Sequence, residues 1–286
     1  CGNTTPAACV PFGAMSVGPF SGGYPSGYGD HLPNSHSHPP KFDGGKKLLG
    51  FAHLQQSGTG AIGYYYNYAV ITPRYADSPL RREPADEAAA PGCYSCFLED
   101  IKCELTASHF TAFHRYTFAK DGGYAVVDFD NNGLNIPEVE KRPVNELTVK
   151  KENENTITAE AVIEGVRIFF AVSANGTFAV SEKNAVITPD SAVLEIKTAI
   201  SARSREKALS YIKDERDFDT VKKDAFDKWN RELSKIAIET DDEKRELLEL
   251  EKLNIDIIDI RKNEYIQLEL CKKGILEKII KIIFIL

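Results

Sequence analysis

The chain has 286 residues, 42% of them hydrophobic and 10% aromatic, which excludes a disordered polymer and leaves room for one large or two modest domains. Its formal net charge of −7 offers no basic face, so a nucleic-acid partner is excluded. No apolar run ahead of residue 240 is long enough to cross a bilayer, so no membrane span is expected.

Residues 1–45 have loop composition, with Gly22, Gly23, Gly27 and Gly29 set among Pro, Ser and His. Long loops inside compact domains are uncommon and are often functional. His31, His36 and His38 fall in this stretch, and His53 follows. Four histidines so close could suggest zinc. However, His36-Ser-His38 lacks a helical frame, and no Cys/His or H-E-x-x-H spacing defines a site. They read as loop histidines that hydrogen-bond a sugar or neighbouring backbone.

Gly50-Phe-Ala-His-Leu-Gln-Gln-Ser-Gly-Thr-Gly60 comes next, followed by Ile62-Gly-Tyr-Tyr-Tyr-Asn-Tyr68. The glycines let the backbone turn tightly and expose N–H groups. His53, Gln55, Gln56, Ser57 and Thr59 add donors and acceptors beside Gly58 and Gly60, and the tyrosines offer flat faces. That combination suits hydroxyl groups and sugar rings. The bland alternative is a glycine-rich turn running into a tyrosine-rich strand. No Gly-Lys-Ser/Thr follows, so it is not a phosphate loop.

From 93 to 200 the period is two. Ile101, Cys103 and Leu105 alternate with Lys102, Glu104 and Thr106. A strand carrying Leu147 and Val149 leads to a turn at Glu152–Asn155. Ile157, Ala159, Ala161 and Ile163 and then Val166, Ile168, Phe170 and Val172 form two more rows, joined at Glu164-Gly165. Asp121-Gly122-Gly123 follows the strand His114–Phe118. Short strands and turns with no helix between them predict an antiparallel two-sheet sandwich over 1–200. The period then changes. A helix is expected over Arg203–Lys213, and Phe218, Val221, Ala225, Trp229, Leu233 and Ile236 line one face of a second. Residues 201–243 thus read as a helical linker docking against something else, with Trp229 in its core.

Six cysteines are present: Cys1, Cys9, Cys93, Cys96, Cys103 and Cys271. Cys93-Tyr-Ser-Cys96 is half of a metal or redox motif without a second half. On a strand its two thiols point to opposite faces, so ordinary buried or free thiols are expected. No nucleophile elbow occurs. Asp30, Asp43, Asp128 and Asp130 are available as carboxylates, but nothing in their spacing pairs them for glycosidic cleavage.

Several ordered stretches resemble glycoside hydrolase family 92, the calcium-dependent exo-acting α-mannosidases. Gly2-Asn-Thr-Thr-Pro-Ala-Ala-Cys-Val-Pro-Phe-Gly13 resembles the family opening G-x-T-x-P-G-A-x-x-P-F-G. Gly50-Phe-Ala-His53 with Ser57-Gly-Thr-Gly60 resembles G-F-S-H-x-H-x-S-G-x-G. Pro91-Gly-Cys-Tyr-Ser95, Glu104-Leu-Thr-Ala107 and Phe113-His-Arg-Tyr-Thr-Phe118 resemble P-G-Y-Y-S, E-L-T-A and F-H-R-Y-T-F. The stretch around Trp229-Asn230 and Leu233–Ile236 resembles the family's connection into its second domain. Ala7 and Gln55 depart from the pattern, standing where the family has glycine and a second histidine.

The resemblance implies that this is the N-terminal β-sandwich domain of an enzyme similar to α-1,2-mannosidases. A missing (α/α)6 barrel would carry the general acid, the general base and most calcium ligands. No catalytic or metal-ligating residue is therefore assigned in this chain. His53, Gln55, Gln56, Ser57, Gly58, Thr59, Gly60 and Phe12 are the expected substrate contacts. Mannose-containing glycans and the absent catalytic domain are the expected partners, and the expected compartment is extracellular or periplasmic. Cys1 falls inside the opening motif, which favours a piece lacking its true start over an acylated mature terminus. Residues 244–286, crowded with Lys, Glu, Ile and Leu, read as a frameshifted or truncated tail, because the resemblance stops there. A free-standing lectin-like module and a scaffold protein acting through the tail are the competing readings.

Overall fold

A computed structural model of the chain describes residues 5–23, 27–28, 47–55, 68–131, 143–163 and 165–234, with the backbone of 255–256 and 269–270. In chain order the first strands are β1 (Ala8–Cys9), β2 (Ser16–Phe20), β3 (Gly50–His53), β4 (Tyr68–Arg74) and β5 (Pro84–Ala90). Next come β6 (Cys93–Leu98), β7 (Ile101–Ala107), β8 (Thr111–Phe118), β9 (Tyr124–Asp128) and β10 (Val144–Asn153). After these lie β11 (Thr156–Ile163), β12 (Val166–Ala174), β13 (Gly176–Val180), β14 (Asn184–Pro189) and β15 (Val193–Ser201). Helices α1 (Arg205–Tyr211) and α2 (Phe218–Leu233) follow, then a two-residue pairing of β16 (Ile255–Asp256) with β17 (Glu269–Leu270).

The strands form two antiparallel sheets. One runs β1-β2-β3-β4-β9-β14-β13, the other β10-β11-β12-β15-β8-β7-β6-β5. They face each other across a shared core, the two-sheet sandwich that the alternating pattern predicts. Phe51 of β3 stacks on Tyr116 of β8 with ring centroids 5.9 Å apart, and meets Tyr94 of β6 edge-on at 6.3 Å. Phe129 packs against Phe170 at 5.5 Å in the same way. All five rings are buried.

The turns sit where their residues require. β10 and β11 close at Asn153↔Thr156 around Glu154-Asn155. β11 and β12 close at Ile163↔Val166, with Gly165 at φ 77° supplying the left-handed step. One departure from alternation has a clear cause. Ile101, Cys103 and Leu105 are buried as expected, but so are Glu104 and Thr106 on the other face. α2 covers that face, and Thr106 Oγ1 donates to the Gly92 carbonyl at 2.8 Å.

The helices also differ from expectation in what they dock on. α1 sets Ala208 and Ile212 against Ala171 and Ala199 on the outer face of the eight-stranded sheet. α2 sets Phe218 and Val221 against Phe113. Small residues on the strands admit the helices closely, so the predicted linker is also a cover for its own sandwich. Arg115 fastens it: the guanidinium meets Glu104 at 3.0 Å and Asp219 at 2.8 Å, and lies 4.2 Å over the Phe218 ring. These carboxylates hold Arg115 above its ordinary pKa. Ser204 caps α1 and Asp217 caps α2. Trp229 is only half-buried and donates its indole N–H to the Cys9 carbonyl at 2.7 Å, tying α2 to β1.

Candidate functional site

The glycine-and-histidine stretch begins on β3, which lies between β2 and β4. Gly50 is there because nothing larger fits: a Cβ would stand 2.5 Å from Thr72 Oγ1 and 2.6 Å from the Ile71 carbonyl. His53 ends the strand with its ring turned into the sandwich, fully buried. Its Nδ1 lies 2.8 Å from the Ala69 carbonyl and 3.2 Å from that of Tyr68. Carbonyls only accept, so Nδ1 carries the proton and Nε2 is left as an acceptor. His114 Nε2, 2.9 Å away, must then donate. His114 Nδ1 in turn accepts from the Tyr116 hydroxyl at 2.7 Å. The result is one neutral chain, Tyr116 to His114 to His53 to Ala69, crossing from sheet to sheet. Burial, offset in part by the two carbonyls, pushes His53 down to about 4. Burial and the facing His53 hold His114 well below its usual value.

Gln55 follows Leu54, a non-glycine residue at φ 56°, and is buried too. Its backbone N–H donates to Ser16 at 3.1 Å, its amide NH2 to the Pro19 carbonyl at 2.6 Å, and its Oε1 accepts from Thr5 at 2.5 Å. Gly18 makes room for it, since a Cβ there would lie 2.5 Å from Gln55 Oε1 and 2.8 Å from the Ala7 Cα. His53 and Gln55 therefore spend their polar atoms inside the protein, as anchors at the root of the loop and not as groups presented to a ligand. Gln56, Ser57, Gly58, Thr59 and Gly60, together with His31, His36 and His38, lie outside the described residues.

Phe12 is placed quite differently. It sits in the turn between β1 and β2 at φ 56°, 67% exposed, above the Gly13-to-Val10 hydrogen bond of 2.9 Å. Because Gln55 bonds to Ser16, the first residue of β2, the Phe12 turn and the end of β3 lie at the same end of the sheet. The turn from β7 to β8 joins them there: the His109 carbonyl accepts from the N–H groups of Ala14 and Met15 at 2.8 and 3.2 Å. Beside it Phe110 is 39% exposed and stacks on Tyr211 at 4.3 Å. Sequence reasoning missed His109 and Phe110. Their only local signal is an aromatic pair in a turn, and the turn's place beside Phe12 is a long-range fact.

Other candidates are spent structurally. Asp128 accepts from the Asp130 backbone N–H at 3.0 Å, and Asp130 pairs with Lys183 at 2.9 Å. Cys93 and Cys96 lie on β6 with half-buried and buried thiols. Among the described residues no group of three or more His, Cys, Asp or Glu side chains gathers as a metal ion needs.

The comparisons agree with this architecture. The family model described as glycosyl hydrolase family 92 N-terminal domain matches residues 1–211. Among solved structures, the chain is similar to the family GH92 α-mannosidase BT3965 from Bacteroides thetaiotaomicron (TM-score 0.67, 20% identity), covering 84% of this chain and 36% of that one. It is similar to the GH92 family glycosyl hydrolase ccman5 (TM-score 0.65, 19% identity, 88% and 38%). The inverting mannosidase BT2199 from Bacteroides thetaiotaomicron VPI-5482 is a third (TM-score 0.60, 17% identity, 88% and 36%). The chain therefore spans a little over a third of the length of these proteins. Comparison with curated proteins gives no match. With the family model covering most of the chain and the sandwich in place, the chain belongs to the glycosyl hydrolase family 92 N-terminal domain family.

Proposed function

We propose that this chain is the sugar-facing N-terminal part of a mannosidase-like glycoside hydrolase acting outside the cytoplasm. In this reading Phe12 and residues Gln56–Gly60 touch a mannose-containing glycan, while His53 and Gln55 serve the fold from inside the protein. Bond cleavage belongs to carboxylates, and calcium binding to ligands, that lie beyond this chain. The carrying observation is the match of residues 1–211 to the family's N-terminal domain, supported by the shared end of the sandwich where Phe12 and the end of β3 lie. An exposed aromatic ring is a common way to grip a sugar face.

The test is hydrolysis of an aryl α-mannoside by the 286-residue chain. No turnover above buffer is expected, and turnover lost on changing any carboxylate of this chain would overturn the division of labour. Phe12, far more exposed than a core ring, also favours a second reading, a self-sufficient sugar-binding module. Calorimetric titration with mannose and manno-oligosaccharides separates the two. Heat that saturates at millimolar ligand and disappears in Phe12→Ala supports the module. No heat leaves the incomplete-enzyme reading standing.

A further inference from the structure

Two thiols of the sandwich core stand opposite each other on neighbouring strands. Cys96 of β6 and Cys103 of β7 are direct cross-strand partners. Both are buried and free. The Cys103 thiol lies 3.6 Å from the Ile101 carbonyl. Opposed residues of an antiparallel pair have Cα atoms roughly 4.5–5.5 Å apart, within the span that a disulfide bridges.

Arg82 lends a charge nearby. Its side chain is 2% exposed and pairs with Glu99 at 3.3 Å. Burial holds the Cys103 thiol well above its ordinary pKa, and the charge of Arg82 offsets that only in part. The Cys103 thiol therefore stays protonated in the closed core, and exchange, which requires a thiolate, belongs to the stage before the core closes.

We propose that Cys96 and Cys103 are a modification site, a cross-strand disulfide that closes by exchange with a disulfide oxidant as the β6–β7 hairpin assembles. The first thiol gives up its proton, and its thiolate attacks one sulfur of the oxidant R–S–S–R. R–S⁻ leaves, takes up a proton, and a mixed disulfide remains on the protein. The second thiolate then attacks the protein sulfur of that mixed disulfide, expelling the second R–S⁻. Two protein thiols have lost two electrons and two protons, and the oxidant has become two thiols. Timing follows from topology. Only Glu99-Asp100 separates the strands, so the two cysteines meet as soon as the hairpin forms. Once the second sheet packs over them, neither sulfur is open to an oxidant.

The experiment uses the full chain, denatured and reduced, then refolded in a mixture of oxidised and reduced glutathione. Remaining thiols are alkylated and tryptic peptides are mapped by mass without reduction. Cleavage after Lys102 puts the two cysteines on separate peptides, and Cys93→Ala removes the one ambiguity, since Cys93 shares a peptide with Cys96. The expected result is a linked pair joining Cys96 to Cys103 that falls apart on reduction. Alkylation of both, capping of both by glutathione, or links to Cys1, Cys9 or Cys271 would overturn the proposal. A second readout is thermal: oxidised chain should melt above reduced chain, with the gap gone in Cys103→Ala. Equal midpoints for the two wild-type forms, with the link present in one, would refute a native cross-strand bond. Should the variant fail to fold, the peptide map of the wild-type chain still decides.

Discussion

Burial keeps His53 and His114 neutral, with the facing His53 adding to the effect at His114, and that makes the sandwich sensitive to acid. Both sit in the folded chain below the ordinary histidine value. The unfolded chain therefore binds protons first as pH falls, and stability present above about 6.5 is lost between there and about 4. For His53 alone the loss at pH 5 is of the order of 2 kcal/mol. Denaturant titration at pH 7 and pH 5 should show a lower midpoint at pH 5 with an unchanged slope. A midpoint that does not move would mean that one ring is already charged in the fold. Gly18 gives a second residue-level prediction. Gly18→Ala drives a methyl carbon into Gln55 Oε1 and the Ala7 backbone, and overpacking of this kind costs about 1–3 kcal/mol. The same substitution at Gly122 meets nothing within 4 Å, though its φ of 79° still disfavours a side chain, by about 1 kcal/mol. Thermal melts of the two variants should rank Gly18→Ala as clearly the worse.

Among the elements, the hairpins were readable because a strand's period and a glycine's tolerance are local properties. Glu154-Asn155 and Gly165 announce their turns within four residues of sequence. The two helices were readable too, with Ser204 and Asp217 as caps, but what they cover was not. Ala171, Ala199 and Phe113 look like ordinary strand residues until β12, β15 and β8 come together as neighbours. Pairing across such distances leaves no periodic trace. The same holds at the sugar end. His53 and Gln55 are polar and sit beside glycines, which reads as exposure, whereas His114 on the other sheet and Thr5 and Pro19 on the near side draw them inside. Because α1 and α2 complete the outer face, a chain ending at residue 200 should uncover Ala171, Ala199 and Phe113. It should melt several degrees below a chain ending at 234 and bind a hydrophobic dye. The cap alone accounts for part of this: Asp217→Ala removes the 2.7 Å bond to Thr220 N–H and should cost about 1 kcal/mol, read from the denaturation midpoint.

At the scale of the molecule, one core joins both sheets. Met15, Phe51 and Ile71 on one side and Tyr94, Leu105 and Phe170 on the other belong to a single buried cluster. Cores of this kind unfold in one step, since opening either sheet strips the other of its apolar partner. Among the described residues, the contacts that close this core and its helical cover lie within 5–234. Trp229 bonds back to Cys9, so α2 is tied to the first strand ahead of the stretch of altered composition. Residues 244–286 are then expected to add nothing to cohesion. A chain trimmed after residue 243 should unfold in a single transition, with the midpoint and denaturant slope of the 286-residue chain. Light scattering should give the two chains the same assembly state. A trimmed chain that melts several degrees lower, or whose assembly state changes, would show that the last stretch packs on the sandwich or joins chains together. Either result would revive the scaffold reading that the hydrolase family match displaces.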